Sequence, residues 1–339
     1  MNRARVAILF NEVTSDSTLD ERDVLHQVRV VSEALSGLGF RPVEVPFSLN
    51  LEKALRTLKE IAPRFVFNLA EDVNHDERMI YLGASLLDHL KIPYSGCPTE
   101  AIFLASNKLV AKRILRSSGI VTPEWASLSP VDPDPSPEGG MFLIKSVWDH
   151  ASGWFDGDSV VRPADVGELK ETLFRRWEKT GEEYYAERYI DGREFNLAIL
   201  AGRVLRIPEM EFVDYPDGKL KVVDYEAKWE ESSFAYSHTV RRFDFPQQDR
   251  PLLEKLQGIA EQCWRVFGLR GYGRVDFRVD PNGAPLVLEI NVNPCLSPDG
   301  GFYAATRESG LTFAEVVKRI VADIPRRDPS GKGSPFRVE

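Results

Sequence analysis

The chain has 339 residues, enough for two or three domains at roughly 100–200 residues each. Apolar residues make up 43% and charged residues 28%, a globular balance that excludes wholesale disorder; the formal charge of −9 argues against nucleic acid or an anionic membrane as partner. Three cysteines (Cys97, Cys263, Cys295) make no disulfide framework and no run approaches 18 consecutive apolar residues, so a cytoplasmic protein without a membrane span is expected.

In chain order, Val6–Phe10 reads as a buried strand, and Glu21–Leu38 as a helix burying Val24, Val28, Val31 and Leu35. Val43–Val45 is a second strand, Leu51–Ile61 a helix, Phe65–Leu69 a third strand, Met79–Leu90 a helix and Ile92–Tyr94 a further short strand. Strands alternating with helices predict βαβ units and a parallel sheet, with ligands beyond the carboxyl ends of the strands. The polar run Asn68–Asp72 after the third strand is therefore a candidate wall of a site, and a solvated loop is the plain alternative.

Ser106–Lys108 opens a helix running to Ser118, and the prolines and glycines of residues 127–140 predict a linker. Met141–Lys145 is a strand, Asp165–Lys179 a helix, and Tyr184–Ile190 and Phe195–Leu200 two strands around Asp191-Gly192. Pro251 starts a helix ending at Gly268, Thr312 caps a last helix, and residues 325–339 read as a loose tail.

The stretch Gly271–Pro294 carries the strongest chemical signal. Tyr272, Arg274, Asp276 and Arg278 alternate with Gly273, Val275, Phe277 and Val279; Val287, Glu289, Asn291 and Asn293 alternate with Leu286, Leu288, Ile290 and Val292. Asn282-Gly283 signals a two-residue hairpin loop that sets Pro281 against Ala284 and Asp276 directly against Glu289, roughly 5 Å apart at Cβ. Two carboxylates that close repel unless a cation lies between them. The all-oxygen set Asp276, Glu289 and Asn291 suits Mg²⁺, which takes its remaining ligands from phosphates and water. Lys145 ends an apolar strand and needs an anionic partner, and the Ser146–Gly157 loop after it can cover phosphates. Lys108 and Lys228 are weaker phosphate candidates, since surface lysines are common.

These pieces together resemble a known family. Ile92–Gly96, Asn107–Lys112, Gly119–Pro123, Glu187–Phe195, Asp224–Lys228, Gly271–Asp276 and Leu288–Pro294 follow in the order seen in ATP-grasp ligases, nearest in pattern to D-alanine–D-alanine ligases. The resemblance implies a mixed α/β and α+β fold: an N-terminal parallel-sheet, Rossmann-like pre-ATP-grasp domain (1–100), then a two-lobed ATP-grasp domain (101–185 and 186–325), with a tail from 326 to 339. It implies ATP and Mg²⁺ as cofactors, with two ions and Mn²⁺ as a substitute. It implies Lys108 and Lys145 on the phosphates, Glu187, Arg188, Tyr189 and Ile190 as the adenine hinge, Glu194 on the ribose, and Asp276, Glu289 and Asn291 on the metal. Arg274, Lys228 and Ser152 are implied at the reacting groups.

The function so implied is an ATP-dependent, ADP-forming carboxylate–amine ligase that makes an amide through an acyl phosphate. Its partners are small-molecule carboxylate and amine substrates, and a homodimer is compatible. An ATP-grasp kinase acting on a hydroxyl is the rival reading. The phosphate loop lacks the family's Lys-Pro step and one glycine, and Asn68–Asp72 and Cys295–Phe302 replace the family's amino-acid pockets, so substrates other than two D-alanines are expected. Glu12, Glu21 and Asp23 are the acids available to hold a substrate ammonium.

Overall fold

The computed structural model describes residues 3–132, 134–135, 140–148, 157–230, 232–326 and 334–335. Strand β1 (Arg5–Asn11) is buried at every position after Arg5, as its unbroken apolar run requires. Helix α1 (Leu19–Gly37) starts two residues earlier than its apolar spacing predicts, because the Glu21 carboxylate accepts from the Thr18 N–H at 2.9 Å and closes the first turn. β2 (Arg41–Phe47), α2 (Leu51–Ile61) and β3 (Val66–Asn68) complete a parallel sheet in the order β2-β1-β3.

The fourth strand expected at Ile92–Tyr94 shrinks to a single parallel bridge between Val66 and Tyr94. Pro93 has no N–H, so it offers only its carbonyl, to Val66 at 2.9 Å. After α3 (Tyr81–His89) the chain forms two helices where one was expected, α4 (Thr99–Ser106) and α5 (Lys108–Ser117). Asn107 between them is extended, and its side chain caps α5 by accepting from the Val110 N–H at 2.9 Å.

A second, antiparallel sheet follows, from β4 (Trp125–Ala126), β5 (Phe142–Ser146), β6 (Val160–Val161) and, after α6 (Val166–Thr180), β7 (Tyr184–Arg188), in the order β4-β7-β5-β6. The third sheet takes β8 (Arg193–Leu200), β9 (Arg203–Val204), β10 (Glu209–Phe212), β11 (Thr239–Arg242), β12 (Tyr272–Val279) and β13 (Pro285–Asn291). Its main path runs β11-β10-β8-β12-β13, all antiparallel, with β9 on β8. Two short helices, α7 (Tyr225–Trp229) and α8 (Phe234–His238), precede β11; α9 (Arg250–Val266) precedes β12.

α10 (Gly301–Glu308), which the sequence pattern did not predict, and α11 (Phe313–Ala322) close the chain's described part. α1 packs on α11 through Val24, Val28 and Val31 against Val317, Ile320 and Val321, all buried. Gly271 is held at φ +72°, and a Cβ there would lie 3.0 Å from the backbone of Gly96, so two distant glycines let the parallel and antiparallel parts meet backbone to backbone. Among the described residues no helix is long and apolar enough to cross a membrane.

Candidate active site

One cavity of about 620 Å³ lies where the three sheets face each other. Its floor is the β12–β13 hairpin. Arg274, Asp276 and Arg278 of β12 turn to the cavity, while Val275, Phe277 and Val279 turn to the core. Asp276 does lie opposite Glu289, and Arg274 opposite Asn291.

The route to that register differs from the expected one. The hairpin loop has three residues, Pro281-Asn282-Gly283: Asp280 and Ala284 pair, and Gly283 sits at φ +78°. That shifts the pairing by one residue, and a β-bulge at Leu288 shifts it back, since Phe277 faces Val287 while Asp276 faces Glu289. The bulge also reverses the facing of β13, so that Val287 is fully buried instead of sharing a face with Glu289.

At one end of the cavity the charges are already matched. Lys145 of β5 donates to Glu187 of β7, and Lys112 of α5, almost fully buried, reaches the other Glu187 oxygen at 2.6 Å. Burial would push the Glu187 carboxyl up, but the two ammonium groups overcome it and hold it below its ordinary value. Lys112 also donates to Thr122 Oγ1 at 2.7 Å and the Pro123 carbonyl at 3.2 Å. Glu194 is buried against Arg278 at 2.7 Å, and burial raises its pKa despite that partner. Tyr189 and Ile190 line the same end, whereas the Arg188 guanidinium turns away to Glu124 at 2.7 Å and stacks on Phe142.

Further along, Lys108 at the start of α5 lies 3.9 Å from Glu289, and the Lys108 N–H donates to the Val147 carbonyl, tying α5 to β5. Arg274 grips Asp276 with two hydrogen bonds of 2.7 and 2.8 Å, and that carboxylate outweighs burial in raising the Arg274 pKa. Lys228 lines the cavity from α7, whose Tyr225 hydroxyl touches Asp20 at 3.4 Å.

The opposite end is acidic. Asp20, Glu21, Asp23, Glu71 and Asp72 line it, whereas Glu12 pairs with Lys53 at 3.1 Å and does not line the cavity. Asp23 accepts from Ser297 Oγ at 2.7 Å and from the Cys295 thiol at 3.0 Å. Glu71 accepts from Gln27 at 2.8 Å; its burial, added to the charges of Asp23, Asp72 and Asp20, pushes its pKa up to about 8. Burial and Glu21 push Asp72 up to about 6. Facing these acids are Arg241 of β11 and the Asp299–Gly301 corner before α10.

Every residue expected at the nucleotide, the metal or the reacting groups lines this cavity except Ser152, which lies outside the described residues with 149–156 of the phosphate loop; of the three candidate acids, Glu21 and Asp23 line it and Glu12 does not. Sequence reasoning missed Lys112, Arg278 and Arg241. Lys112 had a signal, standing one helical turn after Lys108, and Arg278 shares the Arg274–Asp276 face. Among the described residues no three His, Cys, Asp or Glu side chains gather as a metal cage. Two opposed carboxylates plus the Asn291 amide nevertheless fit Mg²⁺, which binds through one or two carboxylates and leaves its other positions to phosphate and water.

Residues 161–322 match the family described as D-ala D-ala ligase C-terminus. The D-alanine–D-alanine ligase of Aquifex aeolicus is 30% identical over 320 residues, covering 94% of this chain and 99% of its own. That of Synechococcus sp. (strain JA-2-3B'a(2-13)) is 33% identical over 247 residues, 70% of either chain. The solved Bacillus anthracis D-alanine–D-alanine ligase complexed with ATP shares the fold at a TM-score of 0.68 and 19% identity, covering 94% of this chain and 96% of that one. Ordered motifs, fold and near full-length likeness agree: the chain belongs to the D-alanine–D-alanine ligase family, ATP-dependent, ADP-forming ligases of the ATP-grasp fold.

Proposed function

We propose that this ligase joins an amino-acid or peptide carboxylate to an amine, and that its product is not D-alanyl-D-alanine. The observation that carries the reading is a single cavity with two differently charged ends, a lysine-rich end with matched ion pairs and an end where acids face Arg241. The first suits a nucleoside triphosphate. The second suits a zwitterion. We divide the chain accordingly into an N-terminal domain (1–100), a small lobe (101–185) and a catalytic lobe (186–325); the change of sheet from β7 to β8, between Arg188 and Arg193, supports a division in this region.

In this reading Glu187–Ile190 border the adenine, Glu194 takes the ribose hydroxyls, and Lys108, Lys145 and Lys228 neutralise phosphate charge. Asp276, Glu289 and Asn291 would hold Mg²⁺, which offsets the charge on the transferred phosphate. Ser152 belongs with the phosphate loop. A substrate carboxylate oxygen attacks the γ-phosphorus as the bond to ADP breaks, giving an acyl phosphate. The amine then attacks the acyl carbon, phosphate leaves with the C–O electron pair, and the amine gives up a proton. Arg274, already oriented by Asp276, stabilises the oxyanion and the departing phosphate electrostatically. A cytoplasmic location goes with the ATP supply.

The test is stoichiometry. With an acid and an amine supplied together, ADP, phosphate and amide should appear one to one to one. A phosphorylated product with no phosphate release would make the enzyme a kinase and overturn the reading.

A further inference from the structure

Two adjacent arginines on β11 have opposite fates. Strand alternation sends Arg242 to one face, where Glu209 at 2.8 Å and Glu211 at 3.0 Å neutralise it. It sends Arg241 to the other face and into the active-site cavity. There its guanidinium touches only the Asp299 carbonyl, at 3.4 Å, and among the described residues it makes no ion pair with any carboxylate. Arg241 is exposed within the open cavity, so its guanidinium fork is accessible to an anionic ligand.

The surroundings say what that anion is. Arg241 lies at the substrate end with Tyr236, Asp299 and Gly301, while the phosphate-binding candidates lie beyond Arg274. Arg274 is itself occupied by Asp276 and stands over the hairpin where the activated carboxylate must be. The second guanidinium is therefore free of the chemistry, and the acids Asp23, Glu71 and Asp72 on the facing wall fit an ammonium group.

We propose that Arg241 is a specificity-determining residue: it receives a carboxylate that the reaction leaves intact, the free carboxylate of an amino-acid or peptide substrate. The planar fork of a guanidinium matches a carboxylate in two parallel hydrogen bonds, which a carboxamide cannot reproduce. This deepens the proposed function and rests on it.

The experiment measures ADP release with a panel of D- and L-amino acids and dipeptides, each paired with its C-terminal amide, for the wild type, Arg241→Gln and Arg241→Lys. For the best substrate, the wild type should prefer the free acid at least tenfold over the amide. Arg241→Gln should raise the KM for the acid tenfold or more, erase the preference, and leave the KM for ATP within twofold. Arg241→Lys should recover part of the loss, and all three proteins should melt within about two degrees of each other. An acid KM within threefold of wild type in Arg241→Gln, or a wild type indifferent to amidation, overturns the assignment while leaving the ligase reading in place. No stimulation of ADP release by any member of the panel overturns the ligase reading itself, and this assignment with it.

Discussion

The two ends of the cavity solve the problem of buried charge in opposite ways. At the nucleotide end each buried acid has a base against it: Glu187 has Lys112 and Lys145, and Glu194 has Arg278. Such pairs add little net stability over an apolar core, but they hold side chains in one place before any ligand arrives. At the substrate end the charges stand apart. Glu71 and Asp72 keep their protons unusually well because burial, added to the charges of neighbouring acids, disfavours ionisation, and among the described residues Arg241 makes no ion pair, only a hydrogen bond to a backbone carbonyl. In the proposed function the preorganised end takes the nucleotide, and the end with charges left over takes the amino-acid or peptide substrate.

The largest effect should come from the acids proposed to hold Mg²⁺. Asp276→Asn and Glu289→Gln each remove a charge from a cation site while Val275, Phe277 and Ile290 keep the core, so turnover should fall about 100-fold or more with the fold intact. Circular dichroism and ADP release check both halves, and turnover within threefold of wild type would sink the assignment. Next, Glu187→Leu strands two lysines beside an apolar residue and should cost about 3–5 kcal/mol. Adding Lys112→Met should recover part of that loss, seen as a partial return of the denaturation midpoint; a double variant no better than the single would show that the pair is not energetically coupled.

The smallest effect is a slope. Glu71 holds its proton up to about pH 8, against an ordinary 4.5, so the folded state binds that proton more tightly than the unfolded chain. Its stabilisation is present below pH 4.5 and is lost as pH rises through 8. His75, whose pKa its hydrogen bond to the Glu21 carboxylate raises, acts in the same direction, so the informative quantity is the difference between proteins. Between pH 6 and 8 the melting temperature of wild type should fall more steeply than that of Glu71→Gln. Parallel curves would mean that Glu71 ionises normally.

How much of this could be read in the sequence depended on the range of the interaction. The hairpin was legible because period-2 alternation is local, although Asp276 met Glu289 through a three-residue loop and a compensating bulge that no local pattern shows. Glu12, Glu21 and Asp23 could not be told apart, since only the packing of α1 under Cys295 and Ser297 brings Asp23 to the cavity and leaves Glu12 with Lys53. Lys112 reads as one more helix lysine until β7 places Glu187 over it, and Arg241 reads as half of an Arg-Arg pair until β11 separates the two faces. α4 escaped because its eight residues are apolar on most sides, and α10 because it opens on glycine.

The claim that joins these points is that a family nucleotide site has been kept while the substrate end has changed. The most direct measurement incubates the enzyme with ATP, Mg²⁺ and millimolar D-alanine, alone and beside the amino-acid and dipeptide panel, and identifies products by mass. The account predicts negligible ADP release and no D-alanyl-D-alanine with D-alanine alone, and a different amide with some member of the panel. Robust D-alanyl-D-alanine formation would contradict it.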